Sequence, residues 1–156
     1  MQIQRVNRTD AEKVFINVNA RSGATITTGM GVRFLGGIGA EAVSTDGVQV
    51  IPAETNDVMC QFGGIAAEDI ANAGYGRSQV WGYVNSIMLS TETDKTIGIT
   101  ALAQTFLQVS TVKPGSFTSA QTAQDLSTFL YKYVQIWSTV NISGGVPYGV
   151  GFVRAL

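Results

Sequence analysis

Residues Phe62 to Leu89, FGGIAAEDIANAGYGRSQVWGYVNSIML, set two apolar runs on either side of a short, glycine-punctuated linker, the pattern of a β-hairpin. Side chains alternate across a strand with a period of two. Trp81, Tyr83, Ile87 and Leu89 are therefore expected on one face of the second run, and Val80, Val84 and Met88 on the other. Both faces ask for burial. A small domain covers one with its own core, so the other must lie under a further part of the chain or under another molecule. That surplus face suggests an assembly protein.

Outward from this hairpin, the chain continues as short strands and tight turns. Val14 to Asn19 alternates cleanly, Ala24 to Thr28 gives a second short run, and Val32 to Leu35 a third. Asp46-Gly47, between Ala42–Thr45 and Val48–Ile51, is a strong hairpin signal because the dipeptide accepts the positive φ angles of a type I′ turn. Ile97 to Val112 reads as one or two strands that end at the turn Lys113-Pro114-Gly115, and Val146 to Val153 as a terminal strand. Thr118 to Val140 is ambiguous. Leu126, Leu130, Tyr133, Trp137 and Val140 fit a helical stripe, whereas the density of aromatic and β-branched residues puts Phe129, Tyr131, Tyr133 and Trp137 on one face of a strand. The strand reading is preferred for 129–140. The expected architecture is one all-β domain over 1–156, a small barrel or sandwich of short antiparallel strands with at most one short helix near 119–126.

Composition supports that class and narrows the function. A chain of 156 residues suits one domain with a core of its own. Hydrophobic residues make up 45% and charged residues 13%, against about 25% charged in an average soluble domain. A surface so short of charge suits a protein that is partly covered in its working state. The net charge of −1 hides a segregation: residues 1–33 carry +3, residues 34–76 carry −6 with no basic residue, and residues 77–156 carry +2. Opposed patches would steer identical subunits head to tail, or present the basic N-terminal part to an acidic partner; scattered solvated charge is the plainer alternative. No basic cluster points to nucleic acid, no run is apolar enough for a spanning helix, and Met1–Arg8 lacks the apolar core of a signal peptide.

The parts of common catalytic machinery are missing. There is no histidine to serve as base to the single Cys60, which reads as a small core residue in a chain without an internal disulfide. Gly37-Ile38-Gly39-Ala40-Glu41-Ala42 has the spacing of a dinucleotide fingerprint but leads into a hairpin signal rather than a helix, so its mechanism lacks the helix N-terminus. Glu68 and Asp69 are adjacent, diverge on a strand and read as solvated surface. Glu92 and Asp94 are too few oxygens for a calcium site. The expectation is a non-enzymatic protein with no cofactor and no metal. The aromatic faces are more productive: core, sugar stacking and subunit interface all remain open for them.

The run Phe62–Ile70, then Gly74 and Gly76, then Val80-Trp81-Gly82, resembles the small β-barrel head decoration, or capsid cement, proteins of tailed bacteriophages. The ending Tyr148–Leu156 is similar to the terminal strand of phage capsid-associated proteins. The resemblance implies a virion structural protein, made in the host cytoplasm. It would bind the major capsid protein on the capsid exterior as a homotrimer, with Met1–Arg8 as an extended arm and no nucleic-acid or membrane partner. Arg5, Arg8, Trp81, Tyr83, Tyr131, Tyr133 and Trp137 are then the expected subunit and capsid contacts. A glycan-binding module of a virion or tail is the alternative.

Overall fold

The computed structural model describes residues 13–36, 47–54, 61–90, 105–109, 114–119, 133–143 and 146–155, and within them nine β-strands and no helix. They are β1 (Val14–Ala20), β2 (Gly31–Phe34), β3 (Gln49–Pro52), β4 (Phe62–Ala66), β5 (Tyr75–Met88), β6 (Thr105–Val109), β7 (Phe117–Ser119), β8 (Tyr133–Ser143) and β9 (Val146–Arg154). The all-β expectation holds, and the proposed hairpin is β4 with β5, in which Ile65 lies opposite Gln79 and Ala66 opposite Ser78. The strand preferred for 129–140 is β8 from Tyr133 onward. Ser119 ends β7, and the rest of the 119–126 segment lies outside the described residues. The first arm of the Asp46-Gly47 hairpin, 42–45, lies outside them too; Val50 of β3 pairs with Ala20 of β1 on one side and Phe34 of β2 on the other.

Five strands close into a barrel. Their order is β1-β3-β2-β4-β5, and pairing of β1 with β5 completes the ring. Every pair in it is antiparallel except β1–β3. The alternation of β1 explains its place: Val14, Ile16 and Val18 turn inward, while Phe15 and Asn17 are exposed. Val18, Ala20, Ile26, Val32, Val50, Ala66 and Ile70 fill this barrel, each fully buried valine or isoleucine contributing about 1.5–3 kcal/mol before entropy is counted.

The 14-residue strand β5 belongs to more than this ring. Trp81 pairs with Val14 of β1 and also with Arg154 of β9, so the two partners sit on opposite edges of β5. Strand β9 therefore takes over from β4 along one edge, and the backbone bond from Ala155 N–H to the Val80 carbonyl (2.8 Å) marks the handover. Beyond β9 the order runs β8, β6, β7. A parallel bridge between Leu89 and Phe117, with Ser90 N–H donating to the Phe117 carbonyl (2.8 Å), then returns β7 to the end of β5. The second set of strands thus also curls round on itself, and Ile87, Leu89, Leu107, Phe117, Val134, Ile136 and Val153 are buried inside it. Phe117 ties the two parts together: its ring meets Phe62 edge-on at 6.3 Å and packs over Gly31 of the barrel.

One sequence expectation is overturned here. Ile87 and Leu89 do not share a face with Trp81 and Tyr83. The pairing of β5 with β9 slips between Val84 and Ile87, and this bulge turns Ile87 and Leu89 into the core beside Val80 and Val84. Simple period-two counting has no access to such a slip. The bulge leaves a single outward face on β5, centred on its two large aromatic residues.

Candidate functional site

Three strands build the outward face that the bulge isolates. Cross-strand register sets the backbones of Val14 (β1), Trp81 (β5) and Arg154 (β9) in one row, the Val14 side chain itself packing against the core, with the backbone of Tyr133 (β8) next to Arg154. The following row sets Tyr83 opposite Phe152, and Phe152 opposite Gln135. Trp81 meets its diagonal neighbour Phe152 edge to face, with ring centroids 5.2 Å apart and planes at 80°. On the other side of β5, Phe15 lies opposite Gln79 and is 39% exposed; Tyr75, at the start of β5, is 74% exposed.

Each of three rings on this face carries a cation. Arg154 lies over Trp81 at 5.7 Å, Lys13 over Tyr83 at 5.7 Å, and Arg77 over Phe15 at 5.6 Å. At exposed sites such contacts are worth about 0.5–1 kcal/mol each, so their larger effect is to fix where rings and charges sit relative to one another. Glu68 accepts from both the Arg77 backbone N–H (3.0 Å) and its Nε (3.2 Å). Beneath the surface, the buried Gln79 donates through Nε2 to the carbonyls of Trp81 (3.1 Å) and Tyr83 (2.9 Å), which holds the strand under the two aromatics.

The neighbouring acid has a different role. Asp69 accepts from the Thr28 backbone N–H (2.7 Å) and hydroxyl (2.8 Å), clamping the loop after β4 onto the segment before β2. The backbone bond, and then the hydroxyl bond, hold its carboxyl below the ordinary carboxylate range. Glu68 and Asp69 thus face different partners, Arg77 and Thr28, but from the loop after β4 rather than from a strand, so strand alternation is not what separates them. Among the described residues no three His, Cys, Asp or Glu side chains gather as a metal site, and no helix is long and apolar enough to cross a membrane.

Of the residues singled out from the sequence, Trp81 and Tyr83 come together on this face. Tyr133 enters the same register through its backbone pairing with Arg154. Trp137 is the extra residue where β8 slips against β9, since Ile136 faces Gly151 and Ser138 faces Val150; that slip interrupts the alternation on which the 129–137 aromatic face was read. Arg5, Arg8 and Tyr131 lie outside the described residues, as do Cys60, Gly37–Ala42, Glu92 and Asp94. Sequence reasoning missed Lys13, Phe15, Arg77, Phe152 and Arg154. The spacing by two of Lys13 with Phe15 and of Phe152 with Arg154 carried a signal, yet only the register shows that β1 and β9 flank β5. Compared with known families, curated proteins and solved structures, the chain matches none.

Proposed function

We propose that this chain is a virion structural protein: a homo-oligomeric, non-enzymatic decoration protein that sits on the exterior of a phage capsid and reinforces it. The observation that carries the reading is the outward face of β1, β5 and β9. A single chain leaves aromatic side chains there half-buried or exposed and interleaves them with arginine and lysine. Aromatic residues and arginine are the residue types that dominate binding energy at protein interfaces. The low charge content and the resemblance of Phe62–Gly82 to capsid cement proteins point the same way.

A glycan-binding role fits this face less well. Stacking on a sugar needs an open aromatic plane, whereas Trp81 already carries Arg154 over its ring and Phe152 against it. The test is cryo-electron microscopy of capsids prepared with and without the protein, backed by native mass measurement of the free form. Extra density on the outer lattice and an oligomeric mass are expected; a strict monomer that fails to co-sediment with capsids would sink the proposal.

A further inference from the structure

We infer that the β1–β5–β9 face is one half of a head-to-tail contact whose other half is the acidic remainder of a second copy of this chain. The inference deepens the assembly reading above and rests on it for the idea that the protein self-associates. Charge decides the geometry. Lys13, Arg77 and Arg154 against Glu68 give the face +2, which leaves −3 on the rest of a chain whose net charge is −1. A two-fold contact would set this face against its own copy, cation against cation, which is penalised on association. A heterologous contact instead brings the cations to carboxylates such as Glu54, which is exposed just after β3.

Aromatic rings interleaved with cations are also the pattern of single-stranded nucleic-acid sites. Two observations favour the protein partner. Trp81, Tyr83 and Phe15 carry Arg154, Lys13 and Arg77 over their rings rather than presenting them bare for base stacking, and the molecule as a whole is negative, which disfavours a phosphate backbone.

The test is sedimentation velocity of the full chain across a concentration series at low and high salt, with circular dichroism as the folding control. Association of the wild type should weaken as the screening length falls from about 10 Å at 0.1 M to about 3 Å at 1 M salt. Lys13→Glu/Arg154→Glu should associate at least about tenfold more weakly, and so should the exposed single change Phe15→Ser, which keeps the test usable if the double variant folds poorly. Glu54→Lys should also associate weakly alone, yet recover association when mixed with Lys13→Glu/Arg154→Glu. Association of the charge variants equal to wild type overturns the inference and leaves the oligomer intact. A wild-type monomer that still co-sediments with capsids overturns it and spares the capsid reading. Binding of an oligodeoxythymidylate that these variants abolish, with self-association unchanged, assigns the face to nucleic acid instead.

Discussion

Gly64→Ala isolates a close backbone-to-backbone approach in the barrel. Gly64 sits in β4 opposite Val32 with φ at +100°, and a Cβ there would meet the Gln79 carbonyl oxygen, with Ser78 Oγ at 2.8 Å and the Gln79 carbonyl carbon at 2.9 Å. Two of these atoms are backbone, and Ser78 is pinned by its bond to the Gly63 carbonyl (2.7 Å), so nothing nearby gives way cheaply. The torsional cost of a side chain at positive φ is about 1–2 kcal/mol. Forcing β4 away from β5 adds about 1–3 kcal/mol of overpacking, for a total of about 2–5 kcal/mol. Gly23 supplies the control: its φ is +74°, nothing lies within 4 Å of a Cβ, and Gly23→Ala should therefore carry only the torsional part. Urea unfolding followed by tryptophan fluorescence separates the two, provided the denaturant slope is unchanged between variants. The Gly64 variant should also melt roughly 4–20 °C lower, given about 2–4 °C per kcal/mol for a chain of this size. Equal losses in the two variants would refute the reasoning, because the steric contact would then contribute nothing.

Phe117→Ala should cost about 3–5 kcal/mol in the same assay, since the ring is buried and fills the junction between the two strand rings. A double-mutant cycle on Trp81 and Phe152 should return a coupling of about 0.5–1.5 kcal/mol for their edge-to-face contact; a coupling near zero would mean that the rings do not interact in solution. Asp69 titrates below its ordinary value of 3.8 when folded, so its bonds to Thr28 stabilise the fold above that value and are lost as pH falls through the lower folded value. Asp69→Asn should flatten the acid limb of the stability-against-pH curve and leave its shape above neutrality unchanged. Gln79→Leu strips the amide donor from the Trp81 and Tyr83 carbonyls and should cost about 1–3 kcal/mol, read by thermal melting.

Much of the fold was legible because strand signals are local. The alternation of Val14–Asn19, the hairpin around Phe62–Leu89, the Pro114-Gly115 turn and the terminal run from Val146 all correspond to described elements. What escaped depends on register. The slip between Val84 and Ile87 moves Ile87 and Leu89 off the face of Trp81 and Tyr83, and no residue there advertises it. The β8–β9 pairing could have been read: Ser143 opposite Val146 leaves Gly144-Gly145 as the connection, a dipeptide suited to a two-residue hairpin loop. The candidate face was half legible. Trp81 and Tyr83 stood out by size, but Arg154 and Lys13 join them only through pairings across more than 60 positions of chain.

Sharing β5 between two rings also sets an order of events during synthesis. The first ring is built entirely from residues 14–88, so it can close while the rest of the chain is still being made. The second needs β9, which ends only at Arg154, and at about 5–20 residues per second the far half of β5 waits several seconds for its neighbour. During that interval Val84, Ile87 and Leu89 lie on a strand with one edge unfilled, the state most prone to pair with another nascent chain. A chain cut short after Ser90 would be held in that state permanently, with its first ring complete and the sticky half of β5 open to aggregation.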